Sequence, residues 1–237
     1  MKLSVEYGTQ TIEFEVEYKK RKTLGIRIAP PGVINIKAPV GVGEDRVLEI
    51  VKSKAKWIVQ KLSEIKHLEG QKRNRQYVDG ETFLYMGAEY PLKIIYDEAY
   101  RKPVAKLENG SLCVYTGAKG EELIKSALTD WYKDKAKEKI CERIEYYQPF
   151  FNITPAQIKV KEQKKRWGSC TSKRVLLFNW RIIMAPLNVM DYIIVHEMCH
   201  LIHMDHSKNF WSLVKSILPD YEERKLWLKM NGAAMNL

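Results

Sequence analysis

Residues 11–18 alternate strictly, with Ile12, Phe14, Val16 and Tyr18 on one side and Glu13, Glu15 and Glu17 on the other. A period of two marks a strand with one buried face. Segments 24–29 and 33–38 read as further strands, joined through the turn sequence Pro30-Pro31-Gly32. From Glu44 and Asp45 the period changes, and Val47, Val51, Ile58, Leu62 and Ile65 recur at helical spacing until Gly70. The polar run Gln71-Lys72-Arg73-Asn74-Arg75-Gln76 interrupts the pattern and reads as a linker. Strand-like stretches follow at 82–86, 90–96, 103–108 and 111–115, with Asn109-Gly110 as the turn between the last two. Beyond Gly117–Gly120 a long amphipathic helix is predicted over 121–147, with Leu123, Ala127, Trp131, Ile140 and Ile144 forming its apolar stripe. Strands are expected at 157–163 and 175–181, flanking a basic loop that contains Trp167-Gly168-Ser169-Cys170. Pro186 precedes a helix expected over 187–203, and Phe210-Trp211 opens another that ends near Pro219. No internal repeat is visible.

This pattern describes an α+β fold. A β-rich N-terminal part with one amphipathic helix is expected over 1–118 and a second part over 119–237, the two being either separate or one continuous domain. With 45% hydrophobic and 11% aromatic residues in 237, the chain has the side chains for a real core, which excludes disorder as its main state. No apolar run approaches the ~20 residues of a membrane helix, and the N-terminal residues lack the apolar stretch of a signal peptide. Cys113, Cys141, Cys170 and Cys199 form no CxxC pair, which favours reduced thiols in a cytoplasmic protein. A formal charge of +11 favours acidic partners, nucleic acid first, although a basic balance alone more often reflects solubility than a binding site.

Four of the five histidines fall within His196-Glu197-Met198-Cys199-His200-Leu201-Ile202-His203-Met204-Asp205-His206. An isolated histidine at a core edge is usually a satisfied polar group. Four in eleven residues at the end of an apolar helix would be costly to desolvate without a shared purpose. The run contains HExxH. On a helix, His196 and His200 stack one turn apart on one face and can share a metal, while Glu197 projects beside them as a general base for a water that the metal activates. Imidazole ligands suit Zn²⁺ with an open fourth position. Two residues compete to be the third ligand. His203 would need an unbroken helix whose three imidazoles span about 10.5 Å along the axis, a poor tetrahedral arrangement. His206 would need the helix to end near His203 and the chain to turn back through Met204 and Asp205.

Arg166-Trp167-Gly168-Ser169-Cys170, Asn179-Trp180-Arg181, the HExxH run, His206-Ser207 and Phe210-Trp211 together resemble the YgjP-like family of zinc metallopeptidases. Its peptidase part is similar to the SprT-like and WLM groups of the zincins. The resemblance is densest over 160–212. It implies a zincin-like catalytic part with an HExxH active-site helix, a zinc cofactor and a peptide or protein substrate. It places the third-ligand role on His206, whose HExxHxxxxxH spacing also resembles the metzincin pattern, although His203 stands where that pattern has glycine. His203, Asn179 and Arg181 are then candidates for orienting a ligand histidine or contacting substrate. Trp167, Trp180 and Trp211 are expected to pack around the helix. Cys170 and Cys199 are expected to be small buried hydrophobes rather than ligands, and Asp205 to support a histidine or make a turn.

The leading reading is therefore a cytoplasmic zinc metallopeptidase. An extended peptide would pair with the strand at Leu176–Asn179 if that strand lies at a sheet edge. The alternative is a nucleic-acid-associated protein that uses Lys159, Lys161, Lys164, Lys165, Arg166, Lys173 and Arg174 as a basic surface, with proteolysis directed to DNA-bound proteins or secondary. The absence of paired CxxC motifs for a zinc ribbon weakens that analogy with SprT-like proteins.

Overall fold

A computed structural model describes the chain apart from residues 30, 71–73 and 164 and the side chains of residues 67–69. It divides into two compact units, Met1–Lys72 and Arg73–Leu237. The structure thus groups the chain differently from the expected division at 118/119. The reason is that the strands at 82–116 share one core with the long helix after them. Of the expected linker at 71–76, residues 71–73 lie outside the described residues.

In the first unit, β1 (Lys2–Tyr7), β2 (Gln10–Lys19), β3 (Gly25–Ala29) and β4 (Val33–Pro39) form a sheet in the order β1-β2-β4-β3. The alternation in β2 has its physical counterpart, because Ile12, Phe14 and Val16 are buried while the intervening glutamates are exposed; Tyr18, at the strand's end, is exposed. The turn residue Pro30 lies outside the described residues. The single expected helix is two, α1 (Glu44–Ser53) and α2 (Ala55–Gly70). The Ser53 hydroxyl donates to the Ile50 carbonyl at 2.7 Å, a local bond that competes with helix continuation. Val47, Val51, Ala55 and Ile58 still pack on Ile34, Ile36 and the inner face of β2.

The second unit opens with β5 (Thr82–Tyr85), β6 (Ala88–Tyr96), β7 (Val104–Glu108) and β8 (Ser111–Thr116), in the order β5-β6-β8-β7. As in the first unit, the second and fourth strands pair in parallel and the outer pairs are antiparallel. The topology repeats although no repeat is visible in the sequence. Helix α3 (Glu121–Tyr147) follows. Its buried stripe is Ile124, Ala127, Leu128, Tyr132, Ala136, Ile140 and Ile144, so the expected Leu123 and Trp131 sit on its flank. A third sheet comprises β9 (Gln157–Lys161), β10 (Gly168–Cys170) and β11 (Val175–Asn179), in the order β10-β11-β9. The strand proposed to receive a peptide is therefore central, with both edges taken, and among the described residues the outer edges of the sheet belong to β10 and β9. A short 3-10 turn at Trp180–Met184 leads to α4 (Leu187–Cys199), followed by α5 (Lys208–Ile217) and α6 (Tyr221–Asn231).

Helix α4 is held in place over its first half. At its start the β5–β6 turn sits against Pro186. Gly87 there has φ +82°, and a Cβ on it would lie 2.8 Å from Pro186 Cγ. Met86 and Gly87 donate their N–H groups to the carbonyls of Ile183 and Met184. Further along, Asp191 takes two bonds from Arg143 on α3, at 2.7 and 3.0 Å, and a third from the Tyr147 hydroxyl at 3.0 Å. Among the described residues no helix is long and apolar enough to cross a membrane.

The Asp191 network generates a stability prediction. Its side chain and that of Arg143 are only 8% and 14% exposed. Asp191→Ala leaves the guanidinium buried without its anion, and is expected to cost about 3–5 kcal/mol of stability. Urea denaturation measures this, and a loss under about 1 kcal/mol would contradict the role given to the pair.

Candidate metal centre

Helix α4 is apolar on nearly every side, with Val189, Met190, Ile193, Ile194, Val195, Met198 and Cys199 all buried. The charged and imidazole groups at its end are consequently forced to find partners in a poorly solvated place. The helix stops at Cys199, four residues before its expected end. Backbone bonds from Leu201 to Met198 and from Ile202 and His203 to the carbonyls of Cys199 close the final turn. His200 then donates from Nδ1 to the His203 carbonyl at 2.9 Å. A carbonyl only accepts, so Nδ1 carries the proton and Nε2 keeps its lone pair.

Beyond that turn the chain doubles back. The Asp205 carboxylate accepts from the Ser207 hydroxyl and backbone N–H, which hold it below its ordinary pKa. This is a turn-making role, and it sets the start of α5. His206 Nε2 comes to face His196 Nε2 at 3.1 Å. One donor atom from each of His196, His200 and His206 lies within 4.8 Å of the others. The His203 ring is not in this group; its contribution to the geometry is its carbonyl. Phe210 packs against all three rings, and Trp211 stacks on His206 with centroids 5.6 Å apart. Tyr221 stacks on Trp211 in turn, and Tyr192 on Tyr221.

Burial, reinforced by the neighbouring His200, His206 and Lys225, pushes the pKa of His196 down to about 3, so its ring is neutral. His200 is lowered as well, chiefly by burial. Glu197 is 5% exposed and its pKa is raised by burial to about 8, against a lowering by Arg166. Its Oε2 and the Nδ1 of His196 are buried without a hydrogen-bond partner. Three clustered imidazoles, the His200 Nε2 lone pair among their donors, beside an unpartnered carboxylate oxygen match the donor chemistry of a zinc site.

Glu197 is seated against the backbone of β10. A Cβ at Gly168 would lie 2.6 Å from Glu197 Cγ and 2.7 Å from its Oε1, distances that only a glycine avoids. This contact was not recognised from sequence, although Gly168 stands within the motif quoted above. Asn179, the last residue of β11, is buried against the loop that leads to β10. Its Nδ2 donates to the Gln163 carbonyl at 2.8 Å, and its backbone N–H to the Trp167 carbonyl at 2.8 Å. Arg181 pairs with Glu162 at 2.9 Å and lies over the Trp180 ring. The contacts of both residues thus fall in that loop rather than at the histidines. Trp180 is a core residue, as expected, whereas Trp211 packs directly on the histidine cluster. Cys199 is buried with its pKa pushed up to about 12, which disfavours the thiolate that binds metals. Lys164 of the basic run lies outside the described residues.

A family model described as "YgjP-like, metallopeptidase domain" matches residues 22–231. Among solved structures, the chain is similar to the crystal structure of the metallopeptidase zymogen jannalysin of Methanocaldococcus jannaschii. The two are 20% identical over 39% of this chain and 92% of that one, with a TM-score of 0.33. No curated protein matches the sequence.

The Gly168 contact yields a direct structural prediction. Gly168→Ala is expected to displace the Glu197 side chain by roughly an ångström, to restore ordinary carbon–carbon contact. A crystal structure of the variant with Glu197 unmoved would contradict the packing described.

Proposed function

The chain belongs to the YgjP-like metallopeptidase family, and from that premise we propose that it hydrolyses peptide bonds with zinc held by His196, His200 and His206 and with Glu197 as general base. The observation that carries this reading is the convergence of three imidazole donor atoms within 4.8 Å of one another, next to a buried carboxylate with an unpartnered oxygen. When bound, zinc supplies Lewis acidity, which polarises a carbonyl and makes water nucleophilic near neutral pH.

The chain's own groups supply the rest. The His203 carbonyl fixes the His200 ring so that Nε2 points its lone pair away from the backbone bond. Trp211, stacked on it, and Phe210, edge-on to it, hold the more exposed His206. Glu197 takes a proton from the attacking water at Oε2 and later delivers it to the leaving amine. Burial raises its proton affinity, which suits a group that must both accept and donate; a cation on the adjacent histidines pulls the other way. β10, an outer strand of its sheet, meets Glu197 at Gly168. An extended peptide pairing with that strand would carry its scissile carbonyl past the carboxylate. The nucleic-acid reading gains no comparable support.

Three experiments test this. Elemental analysis, with an unbiased peptide digest run with and without chelator, should find bound zinc and chelator-sensitive cleavage. Glu197→Gln should retain metal and lose about 10²–10⁴ of turnover, as removal of a general base does; a near-normal rate would sink the mechanism. Metal content distinguishes the histidines. His206→Ala is expected to lose zinc and His203→Ala to keep it, since a backbone carbonyl survives substitution; the reverse pattern would reassign the third ligand.

A further inference from the structure

Two cations flank the candidate centre, and among the described residues neither is ion-paired. Lys225, exposed on α6, places its ammonium 4.5 Å from the centroid of the Trp211 ring. That ring is itself 5.6 Å from His206 and 5.7 Å from His196. Arg166 is exposed and stands two residues before Gly168, the residue whose backbone touches Glu197. Two residues span at most about 7 Å of chain. The Asn179 bonds to the carbonyls of Gln163, Arg166 and Trp167 fix the backbone on either side of Arg166, so its side chain starts near the carboxylate. Its charge is felt by Glu197, as that of Lys225 is felt by His196.

The position of Lys225 is electrostatically awkward. A lysine on the far side of the ring that packs against His196 and His206 repels a cation held between those histidines. A cation–π contact at an exposed ring returns only about 0.5–1 kcal/mol. The awkwardness is relieved when an anion enters the site with the substrate, and a net charge of +11 steers such substrates towards the protein. The geometry points to a substrate carboxylate flanking the scissile bond, received by Lys225 and Arg166, so that these two residues set specificity. This rests on the peptidase reading above. The carboxylate can belong to an Asp or Glu side chain or to a peptide C-terminus.

The test is digestion of a randomised peptide library, half of it amidated at the C-terminus, by the intact zinc-loaded protein and by a Lys225→Gln/Arg166→Gln double variant. Cleaved peptides are expected to be enriched about three- to tenfold in carboxylates near the cleavage point, an effect of exposed charge pairs that shrinks as salt is raised. The double variant should lose the enrichment, and the conservative Lys225→Arg/Arg166→Lys pair should restore it. Enrichment that follows Asp and Glu identifies side chains as the source; enrichment abolished by amidation identifies the C-terminus. Chelator-sensitive cleavage without enrichment, or enrichment unchanged in the double variant, overturns this proposal alone. No chelator-sensitive cleavage by zinc-loaded protein overturns the peptidase reading and this one with it.

Discussion

Glu197 and His196 sit at the end of a helix whose other faces are almost wholly apolar, and the free-energy cost of desolvating them there constrains everything around them. A buried carboxylate and a buried imidazole are tolerated only where partners, or a bound cation, answer them. The Asp191–Arg143–Tyr147 network and the Pro186–Gly87 contact supply the rigidity that keeps α4 in this position. Gly168 supplies the room. Each of these features lies some way from the histidines in sequence, and each serves the same helix.

The end of α4 carries the second constraint. Leu201 and Ile202 continue the apolar pattern, so periodicity alone runs the helix on to His203. The structure ends it at Cys199, because the His200 side chain captures the carbonyl of His203 and the last turn closes on Met198 and Cys199. Only with that early stop can His206 return to face His196. The turn uses Asp205 and Ser207 where a glycine would serve in the metzincin spacing, so a side-chain carboxylate replaces backbone freedom as the device that bends the chain.

Much of the architecture was legible where one physical preference acts alone. Helix α3 and the alternating face of β2 follow directly from the spacing of their apolar residues, and the Asn109-Gly110 turn from residues that tolerate positive φ. The His196–Glu197–His200 grouping was legible because HExxH needs only helical geometry. What escaped was decided by contacts distant in sequence or by weak patterns. Gly168-Ser169-Cys170 has none of the usual strand composition and becomes a strand by pairing with β11. In α6, Leu226 is exposed beside the half-buried Trp227 and Leu228, so no clean stripe announces the helix. The break at Lys54 leaves the apolar spacing intact, and the matching topology of the first two sheets resides in strand pairing. Nothing local in the sequence places Lys225 over Trp211.

The central claim is that one zinc ion is held by an imidazole from each of His196, His200 and His206. X-ray absorption and anomalous diffraction at the zinc edge, on zinc-loaded protein, test it most directly. The account predicts a single zinc with three protein nitrogens at about 2.0–2.1 Å, located among those three rings. Zinc bound elsewhere, or bonded to the His203 ring in place of His206, would contradict it.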